Sequence, residues 1–272
     1  MSARSPYRWV APLWIAMLLG RGAVASAAEP GTAPATQPEP AESAEFLFGY
    51  ADSGGIPIHF VSRGSGPLVL LIHGFPDYWY GWRDQLAALA PAYQAVAIDQ
   101  RGYNTSGQPA GVENYTMDKL VGDVAAVLRH LQRDRATIVG HDWGGAVAWA
   151  FAMQRPENTE RLVILNCPHP RGLLHELKHN EQQRQNSEYA RTFQQPDAVS
   201  KVPAGLLPLW VKEPEARERY RAAFQRSSLD GMLNYYKANY PREPYDVPDY
   251  PQVKCPTLVV HGAQDRSRER DS

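Results

Sequence analysis

One heptapeptide constrains the fold of this chain more than any other feature. Residues 139–145, with the sequence VGHDWGG, follow the apolar run 136–139 and open into a helical pattern over 146–155 that Pro156 ends. Asp142 therefore lies between a strand and a helix, and the three glycines of the heptapeptide leave room for a tight turn. The pattern predicts a sharp elbow that presents the Asp142 side chain in an open cleft.

The identity of the residue at this elbow indicates the chemistry. A serine there would suit acyl transfer, but its attack on a saturated carbon would leave an ether that water does not readily split. A carboxylate forms an ester instead, which water can hydrolyse. A carboxylate is also ionised at neutral pH without a base. Asp142 therefore favours displacement at carbon, with epoxides and haloalkanes as the electrophiles.

Composition places the chain among ordinary globular proteins. Its 272 residues are 43% hydrophobic with a formal net charge of −1, which is not the charge balance of a nucleic-acid-binding protein. We also expect no cofactor and no metal.

The first 28 residues differ from the rest of the chain. Two arginines precede an apolar run over 9–19, and small residues at 25–27 offer a cleavage site. This pattern predicts a signal peptide over 1–28, export to the periplasm or the outside, and no stable membrane insertion after cleavage. A membrane anchor is the alternative, but the apolar run is about half the roughly 20 residues that a spanning helix needs.

Strand and helix patterns alternate from residue 46 onward, which predicts an α/β fold with a mostly parallel sheet. Strands are predicted at 46–50, 56–62, 68–72, 95–98, 136–139, 161–166 and 257–260. After His169 the strands stop and helical patterns continue to Tyr240, which predicts a helical cap over the sheet. The predicted segments are a disordered linker (29–44), the first part of the core (45–169), the cap (170–245), the second part of the core (246–265) and a polar tail (266–272).

The two cysteines fall at opposite ends of predicted strands. Cys167 ends the strand 161–166, whereas Cys255 precedes the strand 257–260. If these strands are parallel neighbours, the cysteines are further apart than the Cα separation of about 7 Å that a disulfide tolerates. We therefore predict two free thiols.

Two further motifs follow predicted strands. In LIHGFP (71–76), the backbone N–H of Phe75 could join that of Trp143 in an oxyanion hole, and a plain glycine-proline turn is the alternative. DQRGY (99–103) is interpreted as a structural turn held by side-chain hydrogen bonds.

The motifs HGFP, DQRGYNTS, VGHDWGG and LNCPHP occur in this order, and together they resemble the epoxide hydrolase branch of the α/β-hydrolase family over residues 46–265. The resemblance implies an α/β-hydrolase fold, and a small hydrophobic epoxide and water as substrates. It also implies that two cap tyrosines hydrogen-bond the epoxide oxygen: Tyr189 in YARTFQ and Tyr236 in LNYY. Ring opening produces an alkoxide, which leaves poorly unless it is stabilised or protonated as it forms.

Two alternative functions remain open at this point. A haloalkane dehalogenase is compatible with the elbow and would hold its halide with Trp143, although the paired tyrosines disfavour it. A catalytically dead α/β-hydrolase-like protein that binds a hydrophobic ligand is the other alternative. Oligomeric state is not determined by the sequence.

The second half of the reaction needs a base. In the family it resembles, a histidine activates water and an acid orients that histidine; the HGAQD motif assigns the acid to Asp265, since the other position holds the uncharged Asn166. The histidine should follow Asp265 by some tens of residues, but all eight histidines precede it and the chain ends at Ser272. We therefore expect a C-terminally truncated member, without the last strand and helix, that opens epoxides and hydrolyses the ester poorly. Its strand at 257–260 should be an exposed edge.

Overall fold

The computed structural model describes residues 46–203, 208–262 and 265. The signal peptide, the linker and the polar tail predicted above lie outside the described residues.

The described core is a seven-stranded sheet with the strand order β1-β2-β4-β3-β5-β6-β7. The first two strands form an antiparallel hairpin and β2 runs antiparallel to β4, whereas the other pairs are parallel. The mostly parallel sheet expected from the sequence is thus confirmed. The strands are β1 (Leu47–Asp52), β2 (Pro57–Arg63), β3 (Leu68–Ile72), β4 (Gln94–Ile98), β5 (Ala136–His141), β6 (Thr159–Leu165) and β7 (Thr257–Val260).

Within the described ranges, three α-helices flank the sheet and six more lie between β6 and β7. They are α1 (Arg83–Leu89), α2 (Met117–His130), α3 (Trp143–Gln154), α4 (Pro170–His179), α5 (Glu181–Asn186), α6 (Glu188–Phe193), α7 (Ala198–Lys201), α8 (Pro214–Arg226) and α9 (Leu229–Asn239). Short 3-10 helices occupy Trp79–Trp82, Val112–Tyr115 and Pro156–Asn158. Among the described residues, the insertion between β6 and β7 contains helices and loops but no strand. The helix after the elbow begins at Trp143, earlier than the sequence pattern indicated.

The cap shares its hydrophobic core with the sheet. Leu174, Phe193 and Tyr236 from the cap belong to the same buried cluster as Ile72 and Ile138 from the central strands. All five residues of β3 are buried, because parallel strands covered by helices on both faces are apolar throughout. The cap is therefore packed onto the sheet as part of one core.

β7 is the least buried strand. It pairs with β6 on one side, and Leu258, Val259 and Val260 are 56%, 49% and 46% exposed. The expected exposure of this strand is confirmed for the part of the chain that the structure describes.

The cysteines lie as predicted relative to β6 and β7. These strands are parallel neighbours, and both Cys167 and Cys255 are free thiols. Within the described ranges, no helix combines the length and the apolar character that crossing a bilayer would require.

Candidate active site

The backbone of the elbow between β5 and α3 adopts an unfavourable conformation at Asp142. Asp142 adopts φ 52° and ψ −120°, a conformation that costs a residue other than glycine about 1–3 kcal/mol and is typically retained at functional sites. A Cβ atom on Gly140 would lie 2.2 Å from the carbonyl oxygen of Gly144, and one on Gly144 would lie 2.1 Å from the carbonyl oxygen of Ile72. The glycines therefore permit the close approach of strand and helix that presents Asp142.

The Asp142 carboxylate packs against the loop that follows β3. The backbone N–H of Phe75 donates a hydrogen bond to Asp142 Oδ1 at 3.0 Å, and a Cβ on Gly74 would lie 2.4 Å from the Asp142 Cβ. Asp142 is also the N-cap residue of α3, where the positive end of the helix dipole favours an anion. The HGFP loop therefore contributes a donor to the carboxylate and is more than a turn.

Tyr236 places its phenol among aromatic rings next to this carboxylate. Its side chain is 3% exposed, and its ring meets those of Trp143 and Phe193 edge-on at centroid distances of 5.0 Å each. The edge-on contact with Trp143 holds the Tyr236 ring directly beside the residue that follows the elbow aspartate. Burial, followed by the negative charge of Asp142, raises the pKa of Tyr236 well above its ordinary value. Tyr236 is therefore a neutral proton donor beside the elbow.

The second motif tyrosine lies next to the first. The ring of Tyr189, in α6, is 6.1 Å from that of Tyr236 and 5.8 Å from that of Phe193. Gln194 follows α6 directly, and its amide Nε2 donates to the carbonyl oxygens of Tyr236 and Tyr240 at 3.2 and 2.8 Å. The structure thus brings both tyrosines together, and Gln194 links the helices that carry them. The motif YARTFQ does not reveal this role of Gln194, because its partners lie 42 and 46 residues further along the chain.

The neighbouring tyrosines have structural partners. The Tyr235 hydroxyl donates to the carbonyl oxygen of Arg101 at 2.9 Å, and that of Tyr220 donates to Asp77 Oδ1 at 2.7 Å. Adjacent helical positions point about 100° apart, so one of the tyrosines in LNYY packs into the core and the other faces the elbow.

The DQRGY turn is held by buried side chains. Asp99 accepts hydrogen bonds from the backbone N–H of Trp79 and from Asn104 Nδ2, both at 2.8 Å. Arg101 forms a two-point ion pair with Asp123 at 2.6 and 2.7 Å. The structural interpretation of this motif is confirmed.

His73 is the first residue of the HGFP loop, and both of its ring nitrogens have hydrogen-bond partners. Its Nδ1 hydrogen-bonds the carbonyl oxygen of Gly74 at 2.8 Å, and its Nε2 lies 3.1 Å from the donating backbone N–H of Gln100. Burial lowers the pKa of His73. The ring is therefore neutral, with its nitrogens committed to the backbone.

The ends of β5, β6 and β7 are level with one another. His141 pairs with Leu165, and Leu165 pairs with Val260, so the residues that follow these strands share one edge of the sheet. Neighbouring strands are about 4.8 Å apart, which puts the end of β7 about 10 Å from the elbow.

Asp265 lies at this edge and has two polar neighbours. Asn166 Nδ2 donates to Asp265 Oδ2 at 2.7 Å, and His261 Nε2 lies 3.7 Å from the same oxygen. The Asp265 side chain is 3% exposed. From the sequence, Asn166 is only an uncharged residue at the other candidate position for the acid. In the structure, Asn166 is a hydrogen-bond donor to the Asp265 carboxylate.

A cavity of about 350 Å³ adjoins the elbow, and we call it the α3 cavity. Trp143 and Tyr236 form part of its wall, together with small and apolar side chains of α3 and the cap. No group of three metal-ligating side chains occurs within the described ranges.

Three comparisons with known proteins bear on this site. A family model described as alpha/beta hydrolase fold matches residues 67–186. The AB hydrolase superfamily protein YfhM of Bacillus subtilis is 35% identical over 243 residues, which cover 81% of this chain and 82% of that protein. The crystal structure of a mutant epoxide hydrolase from Bacillus megaterium superposes with a TM-score of 0.76 at 31% identity, covering 80% of this chain and 84% of the other.

Curated epoxide hydrolases of animals are longer than the matched region. Epoxide hydrolase 1 of Caenorhabditis elegans is 35% identical over 235 residues, which cover 77% of this chain and 56% of that enzyme. The chain spans 62% and 65% of two vertebrate epoxide hydrolases that it also matches.

Proposed function

This chain belongs to the α/β-hydrolase family, among relatives that are epoxide hydrolases, and from that premise we propose that Asp142 opens an epoxide ring by nucleophilic attack. The observation that carries the proposal is the surroundings of the carboxylate. Asp142 Oδ1 accepts the Phe75 N–H at 3.0 Å, and the buried phenol of Tyr236 is close enough for the Asp142 charge to raise its pKa.

The first step forms one bond and breaks another. Asp142 Oδ2 attacks an epoxide carbon, the bond from that carbon to the ring oxygen breaks, and its electron pair moves to the oxygen. Tyr236, assisted by Tyr189, donates a hydrogen bond or a proton to this oxygen as the charge develops. The products are an ester on Asp142 and a β-hydroxy group. A raised phenol pKa suits this role, because the proton is retained until the alkoxide forms.

The second step returns the carboxylate. Water attacks the carbonyl carbon of the ester, and the N–H of Phe75 stabilises the oxyanion that forms on Oδ1. The N–H of Trp143, at the start of α3, is proposed as the second donor. Collapse of the intermediate releases a diol and regenerates Asp142.

Activation of the water distinguishes the two steps. We assign Asp265 as the acid that orients a base histidine, supported by its burial at the sheet edge that also carries Asp142. A general base contributes on the order of 10² to 10⁴ in rate. Ester hydrolysis is therefore the step that depends on Asp265 and the histidine it orients, whereas ester formation does not.

Halide binding is the alternative use of the same elbow. A dehalogenase would need the indole N–H of Trp143 for the halide, and the ring of Tyr236 packs edge-on against this indole at a centroid distance of 5.0 Å. A buried phenol beside the elbow favours an oxygen leaving group over a halide, because an alkoxide needs a proton donor and a halide does not.

Intact-mass spectrometry after incubation with styrene oxide tests the proposal. Folded protein should gain the mass of one epoxide molecule, and peptide mapping should locate it on Asp142. Asp142→Asn is isosteric and should gain nothing. Diol release is followed in the same samples by chromatography.

The outcomes separate the candidate functions. Folded wild-type protein that gains no mass and releases no diol contradicts the enzyme proposal and favours a ligand-binding protein. Steady diol release without adduct accumulation would mean that ester hydrolysis is the faster step, and it would support the epoxide hydrolase proposal. Chloride release from a chloroalkane would revive the dehalogenase alternative.

Export is a separate proposal that rests on residues 1–28. The charged, apolar and small-residue regions of this segment support it. N-terminal sequencing of protein recovered from the periplasm or medium should begin after residue 27 or 28, and an uncleaved cytoplasmic product would contradict it.

A further inference from the structure

The α3 cavity follows one face of its helix. Trp143, Ala146 and Ala150 line it at increasing distance from Asp142, and Met153 lies beyond them. These positions recur at helical spacing and form one stripe. At roughly 1.5 Å per residue, the stripe runs about 15 Å from Trp143 to Met153. The cavity therefore extends along the helix, away from the nucleophile.

Two alanines create the space. Ala146 and Ala150 are only half-buried in a helix whose other alanines at 148 and 152 are buried in the core. Leu173 and Tyr240 form part of the facing wall, on the cap. The cavity volume of about 350 Å³ lies within the roughly 300–1,000 Å³ that is usual for small-ligand sites.

The far end of the cavity has amide groups. Gln154 and Asn239 line this end, and Asn239 Nδ2 already donates to the carbonyl oxygens of Tyr115 and Tyr235 at 2.8 and 3.0 Å. Between that end and the Trp143–Tyr236 pair, the α3 stripe is apolar. Such a lining favours a ligand without polar groups along its length.

The cavity begins beside the proposed reaction site. Trp143, which follows Asp142 in the chain, and Tyr236, the proposed donor to the epoxide oxygen, both line it, whereas Asp142 itself does not. A substituent on the Tyr236 side of a bound epoxide would therefore meet the α3 cavity.

We propose that the α3 cavity binds an unbranched alkyl substituent, so that the chain acts preferentially on terminal epoxides with a long alkyl group. Ala146 and Ala150 set the length of substituent that is buried. This inference rests on the proposed function of Asp142. Each methylene that leaves water for such a site should raise the second-order rate constant for ester formation about fourfold.

The test compares butylene oxide, hexene oxide and decene oxide as alkylating agents, with ester formation followed by intact mass. Wild-type protein should react at least tenfold faster with decene oxide than with butylene oxide. Ala150→Phe should lose at least tenfold with decene oxide but less than threefold with butylene oxide. Ala146→Leu, which is nearer Asp142, should also slow hexene oxide.

Ala222→Phe is the matched control, because Ala222 is a half-buried helical alanine of the cap outside the cavity. It should keep the wild-type order of rates. Equal rates for the three epoxides in wild-type protein, or an equal loss for all three in Ala150→Phe with unchanged circular dichroism, would overturn the proposal.

A binding measurement separates this inference from the chemistry. Decanamide is titrated by calorimetry into Asp142→Asn, which cannot form the ester. Binding that is lost on adding Ala150→Phe, and kept on adding Ala222→Phe, supports the alkyl site even if no epoxide reacts. Absence of decanamide binding overturns the alkyl site, whereas absence of any epoxide adduct with decanamide bound contradicts only the proposed function and the epoxide preference that rests on it.

Discussion

Asp142 and Asp265 both follow the carboxyl ends of parallel strands, but the structure around each of the two carboxylates is different. Asp142 follows β5, which is flanked by β3 and β6, and it is held by a constrained elbow and the N–H of Phe75. Asp265 follows β7, whose apolar side chains are about half exposed, and it accepts a hydrogen bond from Asn166. The proposed nucleophile therefore lies in the well-packed centre of the sheet, and the proposed orienting acid lies beside its least buried strand.

Substitution of each carboxylate tests most directly whether Asp142 and Asp265 serve different steps. Asp142→Asn should abolish ester formation, because no nucleophile remains. Asp265→Asn should leave the rate of ester formation within about threefold, because an orienting acid serves the later base step. Rates are measured by intact mass with styrene oxide. A large loss in Asp265→Asn would show that the two carboxylates act together in the first step.

Matched leucine truncations compare the packing of the two regions. Leu71 in β3 is 1% exposed and Leu258 in β7 is 56% exposed. Leu71→Ala should lower the free energy of unfolding by about 2–5 kcal/mol, and Leu258→Ala by less than about 1 kcal/mol. Urea denaturation measures both. Similar losses would mean that β7 is as well packed as the centre of the sheet.

Removal of the Tyr236 hydroxyl tests whether this phenol acts as the proton donor in ester formation. Tyr236→Phe should slow ester formation about 10²-fold, in line with the loss of a general acid, with little change in fold because the ring packing is retained. Since the pKa of Tyr236 is raised, the wild-type rate should not fall through the pH range in which an exposed tyrosine ionises. A rate that falls near pH 10 would contradict this assignment.

Tyr235→Phe is the control for the adjacent position. It removes a hydroxyl that bonds the carbonyl oxygen of Arg101, so it should lower stability by about 1 kcal/mol. The ratio of ester formation rates for decene oxide and butylene oxide should not change.

The smallest expected effect is a pH dependence at the nucleophile end. Burial lowers the pKa of His73 in the folded state, so the unfolded chain binds the proton first. The stability that neutral His73 contributes is present above about pH 6.5 and is lost as the pH falls below it. The unfolding free energy of wild-type protein should therefore fall more than that of His73→Gln between about pH 7.5 and pH 5.5. The exposed His179→Gln should follow the wild-type curve.

Much of the fold was predictable because its signals are local. The apolar run 68–72 predicts a strand with the observed bounds, and the glycines around Asp142 predict the elbow. The strand and the elbow both depend on residues that are close together in the sequence. The start of α3 at Trp143 was not predictable from apolar periodicity, because Gly144 and Gly145 in its first turn have no side chains that contribute to such a pattern.

Contacts between segments that are far apart in the sequence could not be predicted from it. Asn166 and Asp265 are 99 residues apart in sequence yet 2.7 Å apart in space, and Gln194 reaches across 42 residues to Tyr236. Periodicity does not specify such partners, since it describes which face of an element is apolar and not which element covers it.

By itself the sequence determined the order of strands and helices, the elbow and the choice of a carboxylate at its tip, because backbone sterics and residue chemistry act locally. Only the tertiary structure decided that Gln194 links the helices of Tyr189 and Tyr236, that Asn166 binds Asp265, and that two alanines of α3 border a cavity. Those outcomes depend on how the cap packs against the sheet, and packing is a property of surfaces that meet only when the chain has folded.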